Sequence, residues 1–150
     1  ALAGLGIACA VFLIGCSFHF APPARPEAEA VTPTAGNAIA IPTARLEDGG
    51  LRFYRTATAA GELRFMALKL GAGHYAVALD ACQICGPEGY FAEGETLICR
   101  HCGAPIQRET VGAAGGCNPI HVAAEERAGS LWVRTSDLEK ARKVVEGPVK

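Results

Sequence analysis

No charged side chain occurs between Ala1 and Phe20, and no later window gathers Lys and Arg into the basic stripe that phosphate neutralisation requires. With 14 basic residues against 15 acidic ones, nucleic acid is not expected as a partner. No Ser/His/Asp arrangement, phosphate-binding glycine loop or paired-carboxylate motif stands out, so hydrolytic catalysis is not expected either. A chain of 150 residues with an apolar leader has room for one core and one domain of about 100 residues or slightly more.

At about 1.5 Å per residue, twenty helical residues span about 30 Å, the thickness of a bilayer core. Residues 1–20 are therefore expected to form a transmembrane helix or a lipoprotein signal. The chain begins without Met or a basic flank, so its true start, and the orientation signal there, is expected upstream. Leu13-Ile14-Gly15-Cys16 reads as a lipobox, which would make Cys16 a lipidation site; an uncleaved helix is the alternative. Gly4, Gly6 and Gly15 argue against a core helix in water. Either leading reading anchors the chain in a membrane, with the rest facing the periplasm or cell exterior. Residues 21–36 carry four prolines and no periodic apolar face, and read as a semi-extended tether.

Residues 37–150 read as the domain, an α+β and mainly β fold. Ala38 to Ile41 and Leu51 to Arg55 alternate apolar with small or polar residues around Asp48-Gly49-Gly50, which predicts a hairpin. A second hairpin is predicted from Leu63–Leu70 and His74–Asp80 around Gly71-Ala72-Gly73, with Tyr75, Val77 and Leu79 on one face. Leu131 to Arg134 is one more strand. Ser136 then caps a helix to about Val145 with Glu139 completing a capping box, and Gly147-Pro148 ends it. The expected architecture is a small antiparallel β domain with a cysteine loop after its fourth strand and one terminal helix.

Of seven cysteines, five lie between positions 82 and 117. Cys82-Gln83-Ile84-Cys85-Gly86 and Cys99-Arg100-His101-Cys102-Gly103 are two copies of C-x-x-C-G separated by turn formers. Two residues between thiols let both sulfurs point at one centre about 2.3 Å away, and the following Gly accepts positive φ, turning backbone N–H groups toward the thiolates. Rubredoxins and zinc ribbons use such a knuckle. A four-thiolate set of Cys82, Cys85, Cys99 and Cys102 suits iron or zinc. Two disulfides worth about 2–4 kcal/mol each are the competing reading outside the cytoplasm. Gly86 and Gly103 stand where c-type haem attachment needs His. Cys117, in Gly115-Gly116-Cys117-Asn118-Pro119-Ile120, is either an additional ligand or a buried thiol, and His121 is a further candidate ligand. Arg100 and His101 either flank an exposed edge of the centre or are merely solvated. His19 and His74 read as bystanders, and Asp80 as the end of a strand that caps the loop.

The Asp80-Ala81-Cys82-Gln83-Ile84-Cys85-Gly86 motif, Gly89-Tyr90, the second knuckle and Gly115 to Ile120, together with Leu63 to Leu68, resemble the FtrD-like family of membrane iron–sulfur proteins over about residues 39 to 122. The resemblance implies iron or an iron–sulfur cluster and a place beside a bacterial iron permease. There a periplasmic ferroxidase-type or other redox partner oxidises ferrous iron, and this family is expected to carry the electron away. His121 departs from the Pro expected after Asn-Pro-Ile, which leaves the ligand set around Cys117 open.

These residues point to an electron-transfer or metal-binding protein more than to an enzyme, and three functions compete on them. A one-electron carrier would use thiolate-held iron. A structural zinc module would use the metal to fold an interaction surface. A thiol–disulfide or metal-handling protein would cycle its C-x-x-C pairs or pass copper or iron.

Overall fold

The computed structural model describes residues 20–147. All of the expected membrane segment except Phe20, including the lipidation candidate Cys16 and also His19, lies outside them. Among the described residues no helix is long and apolar enough to cross a membrane.

In chain order the elements are β1 (Glu29–Ala30), β2 (Ala38–Pro42), a 3-10 turn (Thr43–Leu46), β3 (Arg52–Thr58), β4 (Gly61–Gly71), β5 (His74–Leu79), β6 (Tyr90–Glu93), β7 (Thr96–Cys99), β8 (Pro105–Ile106), β9 (Ala124–Arg127), β10 (Ser130–Arg134) and α1 (Thr135–Glu146). They form a mainly β fold of three sheets, ordered β1-β3-β4-β5, β2-β10-β9 and β6-β7-β8, with one C-terminal helix. The hairpin predicted at Gly71-Ala72-Gly73 is present as β4–β5, in antiparallel register from Phe65 opposite Leu79.

The first predicted hairpin is not. β2 pairs antiparallel with β10, Ile41 opposite Leu131, while β3 pairs with β4. Asp48 does make its turn, accepting a 2.8 Å bond from the Gly50 N–H. That turn joins the 3-10 segment to β3, so the chain has already left the sheet of β2 when it bends. The capping box also fails: α1 begins at Thr135, one residue before Ser136, with no side-chain cap. Thr135 Oγ1 instead donates to the Asn37 carbonyl at 3.2 Å. The helix ends at Gly147 in extended backbone, as a residue before proline prefers.

The segment read as a tether contributes to the fold. β1 lies parallel to β3, Ala28 is buried, and the Val31 N–H donates to Arg55 O at 2.9 Å. Two residues of parallel pairing leave no period in the sequence, which is why proline content dominated the reading.

β4 and β5 are buried on both faces. Phe65, Ala67, Val77 and Leu79 point into one core with Ile39, Ile41, Leu131, Val133 and Leu138. Met66, Leu68, Ala76 and Ala78 point into a second, with Tyr90, Leu97, Ile106, Cys82 and Cys99. Double burial explains why Leu63 to Leu68 is a nearly continuous apolar run rather than an alternating one. The second core forms the floor of the cysteine loop.

Candidate metal centre

Three backbone segments deliver the thiols. The first knuckle leaves β5 through Asp80 and Ala81 and is closed by two bonds, Cys82 N–H to Gly86 O at 3.1 Å and Gly86 N–H to Cys82 O at 3.0 Å. The second begins at the end of β7, where Gly103 N–H donates to Cys99 O at 2.9 Å and Cys99 N–H to Ala104 O at 3.0 Å. Gly86 and Gly103 have φ of 73° and 72°, the left-handed backbone that the C-x-x-C-G pattern requires. In the third segment, Tyr90 donates its hydroxyl to Cys117 O at 2.6 Å, and Ile120 to Val122 run along the open edge of β5. Leu79 N–H donates to Ile120 O at 2.8 Å there, which seats Cys117 against the first knuckle.

The ligand atoms of Cys82, Cys85, Cys99 and Cys117 all lie within 4.8 Å of one another. Cys102 adjoins this group, its Sγ 3.5 Å from that of Cys117, while Cys85 and Cys117 are 3.9 Å apart. Five thiols thus converge, those of the two knuckles and the additional candidate Cys117, and the compact quartet includes Cys117 in place of Cys102. Cys82 and Cys99 are buried, Cys85 and Cys117 half-buried, and Cys102 exposed. His121 is not in the group: it is exposed and sits over Gly112. His74 and His101 are exposed as well.

The donor set fits a thiophilic metal. A single ion with metal–sulfur bonds of about 2.3 Å places its four sulfurs about 3.8 Å apart, close to the separations here. Burial pushes the Cys85 thiol well above its ordinary range and raises Cys99 too. Cys117 is pushed up to about 11, by burial and then by its bond to Cys102. For Cys102 burial also opposes ionisation, but the Ala104 backbone and neighbouring thiols outweigh it and lower the pKa. Crowded thiols of this kind ionise together only beside a cation. One backbone donor is in place, Cys85 N–H to Cys82 Sγ at 3.1 Å.

Asp80 anchors the loop from below. Its side chain is fully buried; Oδ1 accepts the Tyr90 N–H at 2.9 Å, while Oδ2 accepts from Arg25 Nη2 at 2.9 Å and Arg64 Nε at 3.1 Å. A Cβ on Gly89 would fall 2.6 Å from Oδ1, so only glycine lets the chain pass. The capping role read for Asp80 is therefore present, with two arginines the sequence did not single out. Arg100 is neither free nor merely solvated: it donates to Glu88 O and Pro23 O, each at 3.0 Å. Tyr90 entered the sequence reading only through the Gly89-Tyr90 pair of the resemblance; it opens β6, and its hydroxyl bond to Cys117 O is a long-range contact that no local pattern signals.

A thiol cage on a small β scaffold with double C-x-x-C-G knuckles defines a class of metal-binding proteins. The chain belongs to the family described as membrane iron-sulfur containing protein FtrD-like, which it matches over residues 46–145. No curated protein and no solved structure matches it. The family description carries iron–sulfur content and membrane association.

Proposed function

We propose that this protein is a membrane-anchored, extracytoplasmic one-electron carrier in an iron-uptake or related redox system, with iron held by thiolates of Cys82, Cys85, Cys99 and Cys117 and with Cys102 beside them. The observation that carries the reading is the convergence of five sulfurs with no other ligand type in the group. Thiolate-bound iron supplies a one-electron couple. The chain's own residues do the rest. Buried Cys82 and Cys99 exclude water from one side, and the Cys85 N–H directed at Cys82 Sγ favours the reduced state by offsetting thiolate charge. Tyr90 fixes the third segment by its bond to Cys117 O, which limits rearrangement between oxidation states. Exposed Cys102 provides the edge through which an electron enters or leaves. An iron permease and a ferroxidase-type protein are the partners this role calls for.

The test is elemental analysis of anaerobically isolated protein, followed by a redox titration monitored by visible absorption. Iron with a reversible one-electron step is expected. Colourless zinc as the native metal, with no such step in the iron-loaded form, would replace the carrier by a structural module.

A further inference from the structure

The segment that leads in from the apolar leader is strapped to the metal loop. Phe20 stacks on Phe91 with ring centroids 6.5 Å apart and planes 19° from parallel, and its ring lies 3.4–3.5 Å from where a Cβ on Gly103 would stand. Pro23 O accepts from Arg100 in the second knuckle. Arg25 holds Asp80, and Pro26 O accepts from Arg64 at 2.7 Å. Phe20, Pro23 and Arg25 thus touch the cysteine loop or its base, and Pro26 the adjoining strand β4.

This fixes how far the thiols stand from the anchor expected in residues 1–20. If that anchor is a helix, it ends at about Phe20; if it is a lipid on Cys16, only three residues intervene, a span of about 14 Å when fully extended. Both keep Phe20, and with it Gly103 beside Cys102, within about 14 Å of the membrane surface.

Composition points the same way. Residues 81–87, 101–107 and 111–120, which bear four of the five clustered cysteines, contain no Asp, Glu, Lys or Arg; beside the fifth, Cys99, stands Arg100, whose guanidinium is turned to the Glu88 and Pro23 carbonyls. Ile84, at the tip of the first knuckle, is 56% exposed and Phe20 47% exposed, two of the large apolar side chains left open to solvent. In contrast, α1 carries six charged residues in twelve. An uncharged face with exposed apolar tips, joined at its rim to a membrane segment, matches a lipid surface.

We propose that the knuckle face, with Ile84 and Phe20 at its rim, rests on the lipid bilayer, so that the thiol centre opens toward the membrane and not toward bulk solvent. The proposal rests on residues 1–20 being the anchor but not on which metal is bound. Redox partners then reach Cys102 along the membrane surface.

The test uses the full chain, loaded with zinc to avoid absorption by iron, in vesicles of phosphatidylcholine and phosphatidylglycerol. The chain has one tryptophan, Trp132, on β10 away from the knuckles. In one sample it reports alone; in the other, Trp132→Phe is combined with Ile84→Trp, a change at an exposed position. Zinc content checks that each variant keeps its centre, and flotation with the vesicles checks the anchor separately. Brominated acyl chains are expected to reduce emission from position 84 at least twofold and that of Trp132 by less than a tenth. Adding Phe20→Ser should remove most of the quenching at position 84 while the chain still floats. If position 84 is insensitive to brominated lipid and is instead quenched by aqueous iodide, the face is open to a soluble protein partner and the proposal fails. Equal quenching at both positions, or a chain that does not float, overturns it as well.

Discussion

The face of the β4–β5 hairpin that carries Phe65, Val77 and Leu79 meets the aliphatic side chains of β2, β10 and α1, whereas the opposite face, with Met66, Ala76 and Ala78, meets Tyr90 and the buried thiols Cys82 and Cys99. The first contact is closed by hydrocarbon from distant parts of the chain. The second is covered by short strands, two knuckles and a glycine-rich loop, elements too small to bury much surface themselves. Small β units of this size need a staple, and on the function proposed above a thiolate-held metal is that staple. One sheet therefore supports two cores that ought to fail in different ways.

The largest effect is expected from stripping the metal. Amides of β6, β7 and β8 should lose hydrogen-exchange protection by a thousandfold or more, about 4 kcal/mol, while those of β3, β4 and β10 stay protected. Equal loss in both cores would show that they are one cooperative unit. Phe65→Ala should act in the opposite sense, lowering the stability of the metal-loaded protein by about 3–5 kcal/mol in denaturant unfolding, with unchanged metal stoichiometry in the folded fraction.

Asp80→Asn tests the joint between the two regions. It removes the negative charge that Arg25 and Arg64 share beneath Tyr90, and should cost about 3 kcal/mol. Limited proteolysis should then cut first between positions 20 and 30, because Arg25 loses its main partner. Tyr90→Phe is the mildest change, removing only the hydroxyl bond to Cys117 O; a loss of about 1 kcal/mol is expected, with metal retained.

The same contrast explains what the sequence revealed. The knuckles were legible because their chemistry is local: spacing sets where the thiols point, and glycine at 86 and 103 permits the required backbone. The β4–β5 hairpin was legible for the same reason. The pairing of β2 with β10 was not, because their strands lie about ninety residues apart and the turn at Asp48 offered a nearer partner. Cys117 could be flagged as the odd thiol, but its place in the quartet depends on Ile120–Val122 lying along β5, a long-range contact with no periodic signature. Arg25 was hidden in a proline-rich stretch whose composition suggested only a spacer. Thr135, which begins α1, spends its hydroxyl on Asn37 rather than on a cap, so tertiary contact displaced the local capping rule.

The most direct test of the account is X-ray absorption at the metal edge of the intact protein, compared with the Cys117→Ser and Cys102→Ser variants. The account predicts four sulfur neighbours at about 2.3 Å in the intact protein, a lower sulfur count or lost metal in Cys117→Ser, and four sulfurs kept in Cys102→Ser. A metal-free protein with Cys82–Cys85 and Cys99–Cys102 disulfides, or a metal bound through nitrogen and oxygen, would contradict it.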